Sequence, residues 1–294
     1  MPRLLVLWDV DYTLVNAGGV GMQLYRIAFA EMFGGEPPMP GPMSGRTDRA
    51  IVLEVLTLAG VPEPRRQVGA FQAVMAAHAP ELAGLLRERG IALPGAAAAL
   101  AALAGDAACT GRAGDAAGTG SAAGTGSAQG TGSAAGTGSA QGAESAGDAG
   151  SAHEAGRAGG ADGQRAWPAV QSLLTGNIRP LAEVKLGPLG LTRHLDLDIG
   201  AYGDLHEVRS ELVGPARRRA ALAYGTDFGG KATVLVGDTP HDIEAALVTG
   251  ARAVGVATGG FTVAELASAG AHVVLPDLTD TGRVLAAILD QPAA

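Results

Sequence analysis

Five apolar residues in succession, Leu4-Leu5-Val6-Leu7-Trp8, stop abruptly at Asp9. A strand with one wet face alternates polar and apolar side chains, whereas an uninterrupted apolar run needs cover on both faces. The segment 3–9 therefore reads as a buried parallel strand that ends in an acid. Further strands are expected at Ser172–Thr175, Asp196–Ala201, Thr233–Gly237, Ala253–Ala257 and Val273–Leu275, with helical stretches between them. Strand–helix alternation of this kind predicts an α/β protein, a three-layer Rossmann-like parallel sheet. In such sheets ligands bind beyond the carboxyl ends of the strands, and the polar motifs fall at those ends.

Between residues 17 and 90 the periodicity is helical throughout. Leu24, Ile27, Ala28 and Met32 share one helix face, and Gly34-Gly35 with the prolines after it ends that helix. A second helix spans Asp48 to Ala59, with Thr47 as its cap and Gly60 at its close. Val68–His78 and Glu81–Arg89 supply two more. Four helices with no intervening strand predict a separate helical subdomain, 17–90, inserted after the first strand. The α/β core then comprises 1–16, 91–104 and 166–294. Residues 105–165 carry approximate six-residue repeats, AGTGSA and QGTGSA. Such a sequence has few large side chains to offset the entropy of ordering it, so a disordered insertion without chemistry is expected there.

The formal net charge of −8 argues against a nucleic-acid or anionic-membrane partner, which calls for clustered Lys and Arg. The short basic run Arg217-Arg218-Arg219 is expected to be a solvated helix face. The single cysteine, Cys109, excludes an intrachain disulfide and offers no metal-site spacing. No run reaches the roughly 20 apolar residues of a membrane span, and the start of the chain lacks a signal-peptide core, so a cytoplasmic location is expected.

Three motifs carry chemistry. Asp9-Val10-Asp11-Tyr12-Thr13-Leu14 follows the first strand, and two carboxylates at i and i+2 there need a cation or hydrogen bonds to compensate them. Leu174-Thr175-Gly176-Asn177 places a hydroxyl, a glycine and an amide together, suited to a phosphate oxygen and equally to a turn. Val236-Gly237-Asp238-Thr239-Pro240-His241-Asp242 puts a second acid one helical turn after the first, which again calls for a divalent metal or hydrogen-bond donors.

In this order the motifs closely resemble those of the haloacid dehalogenase-like hydrolases, within them the phosphoglycolate phosphatase-like branch with a helical cap. The resemblance implies a Mg2+-dependent phosphatase acting on a small phosphorylated metabolite. Asp9 is then the nucleophile that forms an aspartyl-phosphate, and Asp11 the general acid and base. Thr175, Gly176 and Asn177 bind the phosphoryl group. Asp9, Asp238 and the backbone carbonyl of Asp11 hold the metal, with Asp242 supporting them.

The family's usual lysine before the last motif is missing. Of the two lysines, Lys231 precedes the wrong end of its strand, and Lys185 is expected to be a solvated helix position. Arg209 is the expected substitute, although Arg is a larger fork than Lys. Arg46, in Ser44-Gly45-Arg46-Thr47-Asp48, either reads the substrate or merely accompanies a helix start. His241 is expected to face solvent or the helical cap, and His78, His153, His194, His206 and His272 form no ligand-spaced pair. Two further readings stay open: a phosphosugar mutase using the same phospho-Asp9, and a catalytically silent phosphate-binding relative.

Overall fold

The structure is a computed structural model and describes residues 4–106 and 169–289. The expected insertion, beyond its first two residues, lies outside the described residues together with Cys109 and His153. Five parallel strands form one sheet: β1 (Leu4–Trp8), β4 (Ala169–Leu173), β5 (Thr233–Gly237), β6 (Arg252–Val256) and β7 (Val273–Leu275), in the order β4-β1-β5-β6-β7. A small antiparallel pair, β2 (Val15–Asn16) with β3 (Ile91–Ala92), stands beside it.

Alternation along β1 explains the three layers. Leu4, Val6 and Trp8 point into a core shared with α5 (Ala96–Leu103), α6 (Arg179–Leu186) and α10 (Thr281–Leu289). Leu5 and Leu7 point to the opposite face, into a core shared with α7 (Val213–Tyr224), α8 (Pro240–Val248) and α9 (Val263–Ser268). With both faces covered, all five residues of β1 are buried. The one polar handle on this strand is satisfied: Trp8 Nε1 donates to Gln171 Oε1 at 3.1 Å, and Gln171 Nε2 donates to the Leu100 carbonyl at 2.9 Å.

The helices α1 (Val20–Phe33), α2 (Asp48–Leu58), α3 (Pro64–His78) and α4 (Ala83–Arg89) gather around their own apolar cluster, with Leu24, Val55, Phe71, Met75 and Leu86 buried in it. Ile178 and Leu181 of the sheet domain join that cluster. Thr47 caps α2 as its sequence suggests, accepting from the Ala50 amide at 3.2 Å.

Two expectations are corrected here. Asp196–Ala201 is no strand; it meets the sheet through an isolated bridge between Leu174 and Ala201 and through single bonds linking Asp196 to Gln171 and Ser172 of β4. The Asp196 side chain accepts from the Asp198 amide at 3.1 Å and from the Tyr224 hydroxyl at 2.8 Å. The local bond to Asp198 turns the chain, and the bond to Tyr224 ties it to α7, so the segment does not run on along β4 as a strand. The basic run on α7 is not simply a solvated face either. Arg217 donates to Thr233 Oγ1, to the Thr249 carbonyl and to the Gly230 carbonyl at 2.9–3.0 Å, and Arg219 donates to the Gly200 carbonyl. Two of the three arginines thus tie helix to loops through carbonyl oxygens. No helix among the described residues is long and apolar enough to cross a membrane.

Candidate active site

All three motifs emerge at the carboxyl ends of adjacent strands, β1, β4 and β5, and meet in one cavity of about 280 Å³. After Asp9 the chain turns sharply: the amides of Leu14 and Val15 both donate to the Val10 carbonyl, at 3.0 Å each. That turn returns Asp11 to the mouth of the cavity. Asp9 and Asp238 are buried, and Asp11 is partly exposed.

Asp242 lies in the first turn of α8. One of its oxygens closes a capping box, accepting from the Thr239 amide at 3.1 Å and the Thr239 hydroxyl at 2.7 Å. Its other oxygen faces Arg209 Nη2 at 2.6 Å. The same guanidinium nitrogen lies 2.7 Å from Asp9 Oδ1 and 3.1 Å from the Leu174 carbonyl, while Nη1 reaches the Gly45 carbonyl at 3.2 Å. Arg209 is therefore a buried fork between the first and third motifs.

Lys185 corrects the sequence reading. It is 3% exposed, and its ammonium donates to both oxygens of Asp11, at 2.8 and 2.6 Å, and to Asn177 Oδ1 at 2.7 Å. The signal was present in the spacing: Lys185 stands four residues after Leu181 and three after Ala182, on the buried face of α6. A lysine on an apolar face survives burial when carboxylates meet it. Asn177 completes the group by donating to Asp11 Oδ2 at 2.7 Å and to Thr175 Oγ1 at 2.9 Å.

Carboxylate oxygens of Asp9, Asp238 and Asp242 lie within 4.8 Å of one another. Burial, with Asp242 and Asp11 opposing the charge and Arg209 favouring it, leaves the Asp9 carboxyl with a raised pKa. Asp238 is raised further, by burial first and then by Asp9 and Asp242. Its Oδ2 is buried with no hydrogen-bond partner. A Cβ at position 259 would strike that same oxygen, so Gly259 leaves the Asp238 carboxylate its room. An orphaned carboxylate oxygen beside two other acids is a hard-oxygen donor set that a divalent cation fits. The four motif acids face two cations, Lys185 and Arg209, and the excess of negative charge has the sign that such a cation balances.

Arg46 lines the cavity but turns away from the acids, pairing with Glu54 at 2.6 Å and reaching the Pro42 carbonyl at 3.3 Å. His241 is half exposed, 3.7 Å from Glu244, and lies against Gly45 in the loop before α2. Among the lining residues given no site role from sequence are Tyr25, in the middle of α1, and Asp48, the first residue of α2. Both are buried and bonded to each other, and neither belongs to a motif.

A family model described as HAD-hydrolase-like matches residues 212–281, the stretch from α7 through β7 that contains the third motif. No curated protein matches the chain's sequence significantly. Solved structures share the fold at low identity. A hydrolase from Pseudomonas syringae aligns at 17% identity with a TM-score of 0.57, over 98% of this chain and 100% of its own. CbbY from Rhodobacter sphaeroides, solved in complex with phosphate, aligns at 15% and 0.55, over 95% and 96%. A predicted phosphatase from Clostridium acetobutylicum aligns at 11% and 0.54, over 97% and 99%. With three motifs at adjacent strand ends, a family model on the third of them and one shared fold, the chain is similar to the haloacid dehalogenase-like hydrolases.

Proposed function

We propose that the chain is a Mg2+-dependent phosphatase that hydrolyses a small phosphate monoester through a phosphorylated Asp9. The observation that carries this reading is the cluster of Asp9, Asp238 and Asp242 at a cavity that Asp9 and Asp238 line, with Thr175, Asn177 and two buried cations around it. An Asp9 oxygen attacks phosphorus, and the bond from phosphorus to the ester oxygen breaks. Asp11 gives its proton to the departing alkoxide. A water then attacks the phosphorus of phospho-Asp9, Asp11 takes that water's proton, and the Asp9–phosphorus bond breaks to release inorganic phosphate.

Asp9, Asp238 and the Asp11 carbonyl would hold Mg2+, with Asp242 steadied by its capping box and by Arg209 as the supporting acid. When bound, that ion supplies the positive charge that lets a dianionic phosphate approach a carboxylate. Arg209 holds the Asp9 oxygen in place, and Lys185 with Asn177 holds Asp11 where it can exchange a proton with the leaving group. Thr175, Gly176 and Asn177 form the phosphoryl-binding loop. The helical segment 17–90 is the cap that shields the reaction from bulk water.

The test is release of inorganic phosphate from p-nitrophenyl phosphate and a panel of phosphorylated metabolites, with Mg2+ and with EDTA. Steady release that requires Mg2+ and is abolished by Asp9→Asn supports a phosphatase. Transfer between sugar hydroxyls without net phosphate release assigns the same site to a mutase. No turnover of any phosphate ester at high enzyme concentration would refute the reading.

A further inference from the structure

Asp48 lies outside the three motifs, yet it makes the most connections between α2 and the phosphoryl-binding loop. Its backbone amide donates to the Gly176 carbonyl at 2.6 Å, and its side-chain Oδ2 accepts from the Ile178 amide at 2.7 Å. Its Oδ1 accepts from the Tyr25 hydroxyl, 2.5 Å away, on α1. One residue therefore grips the chain on both sides of Asn177, and a second helix fixes the carboxylate that does so.

The neighbouring contacts run the same way. Arg49 donates its amide to the Gly203 carbonyl at 2.9 Å, and Gly203 donates to the Asn177 carbonyl at 2.8 Å. The approach is so close that a Cβ at Gly176 would strike the Arg46 carbonyl, and one at Gly203 would strike the Gly176 carbonyl. Glycine at both positions is what lets the three loops touch. Asp48 is 5% exposed, and burying a carboxyl is costly unless its oxygens are bonded to some purpose.

We infer that Asp48 is a positioning residue that holds Asn177 on Asp11 and Lys185, coupling the seating of the helical cap to the geometry of the phosphoryl-binding loop. The inference rests on the phosphatase reading for its catalytic consequence, but the positioning itself is measurable without turnover. Nothing in the contact network requires Asp48 to touch substrate; it acts through the Gly176 carbonyl and the Ile178 amide.

The test uses the full chain with Mg2+ and compares Asp48→Ala, Asp48→Asn and Tyr25→Phe by two readouts. One is hydrogen exchange at the Ile178 amide, and the other is the inhibition constant of inorganic phosphate. Asp48→Ala should speed exchange at Ile178 and weaken phosphate binding, each by about tenfold or more, whereas distant amides in β5 and β6 keep wild-type rates. Asp48→Asn retains an acceptor for Ile178 and should recover most of both. Tyr25→Phe should fall between Asp48→Ala and wild type.

If Asp48→Ala does not fold, the ordering of wild type, Asp48→Asn and Tyr25→Phe decides the matter. Exchange and phosphate inhibition within about twofold of wild type in every folded variant would overturn the inference. A wild-type protein that releases no phosphate from any ester would instead sink the phosphatase reading, leaving the exchange result to judge Asp48 on its own.

Discussion

Lys185 holds Asp11 by both carboxylate oxygens, 2.8 and 2.6 Å from one ammonium, while Arg209 holds Asp9 at 2.7 Å. The two cations thus divide between the two acids of the first motif. Lys185 reaches Asp11 from α6, and Arg209 reaches Asp9 from the turn before α7.

This division predicts that neither cation substitutes for the other. Arg209→Ala frees the Asp9 oxygen and strips a counter-charge from Asp242, and should lower kcat/KM by on the order of a hundredfold or more. Lys185→Ala should cost about as much, because Asp11, the proposed proton-transferring acid, loses its anchor. Steady-state kinetics on the two variants and the double variant checks this. A Lys185→Ala enzyme with wild-type turnover would show that Asp11 is positioned by Asn177 alone.

Mg2+ should stabilise the fold, since it would bind acids that repel one another in the native state and are apart in the unfolded chain. Thermal melts with and without Mg2+ should show a rise in Tm for wild type and little or none for Asp238→Ala. Gly259→Ala should weaken the Mg2+ dependence while leaving the fold, because its methyl group displaces the free oxygen of Asp238.

Asp48 makes a specific prediction about pH. Burial is the main cause of its rise from 3.8 to about 6, against the bonds from Tyr25 and Ile178, which lower it. A folded pKa above the unfolded value means that the folded protein binds the extra proton. The contribution is fully present below pH 3.8 and is lost as pH rises through about 6. Denaturation of Asp48→Asn and wild type across this window should therefore shift in the variant's favour with rising pH, by up to about 3 kcal/mol. A constant difference would mean that Asp48 does not titrate in this range.

His78 gives a second pH response, on the outside of the helical segment. It lies 2.6 Å from Glu31 and 2.8 Å from Glu81, and the bonds to these two acids raise its pKa above the ordinary 6.5. This stabilisation is present below pH 6.5 and fades as pH climbs through the raised value. His78→Gln should remove that decline from the stability profile above pH 6.5.

Much of this site could be read from sequence, for a physical reason. Asp9, Thr175 and Asp238 each lie just past the end of a buried strand, and a parallel sheet delivers the ends of adjacent strands to one place. Strand register decided the rest. Asp196–Ala201 has a strand's apolar content, yet the Asp196 side chain bonds to the Asp198 amide and to Tyr224 on α7, and the segment forms no strand. Lys185 and Asp48 escaped because their partners are distant in sequence: Asp11 lies 174 residues from Lys185, and Ile178 lies 130 from Asp48. The buried face of α6 was still legible in Leu181, Ala182 and Lys185. Asp48, at the first position of a helix that Thr47 already caps, reads as a helix start and conceals a tertiary bond.

The most direct measurement is to trap the phosphorylated enzyme. Rapid quench during turnover of p-nitrophenyl phosphate with Mg2+, followed by borohydride reduction and peptide mass spectrometry, converts an acyl-phosphate on aspartate to homoserine. Homoserine at position 9 and at no other acid is the predicted result. Phosphate release with Asp9 unmodified, or homoserine at Asp11 or Asp238 instead, would contradict nucleophilic catalysis by Asp9.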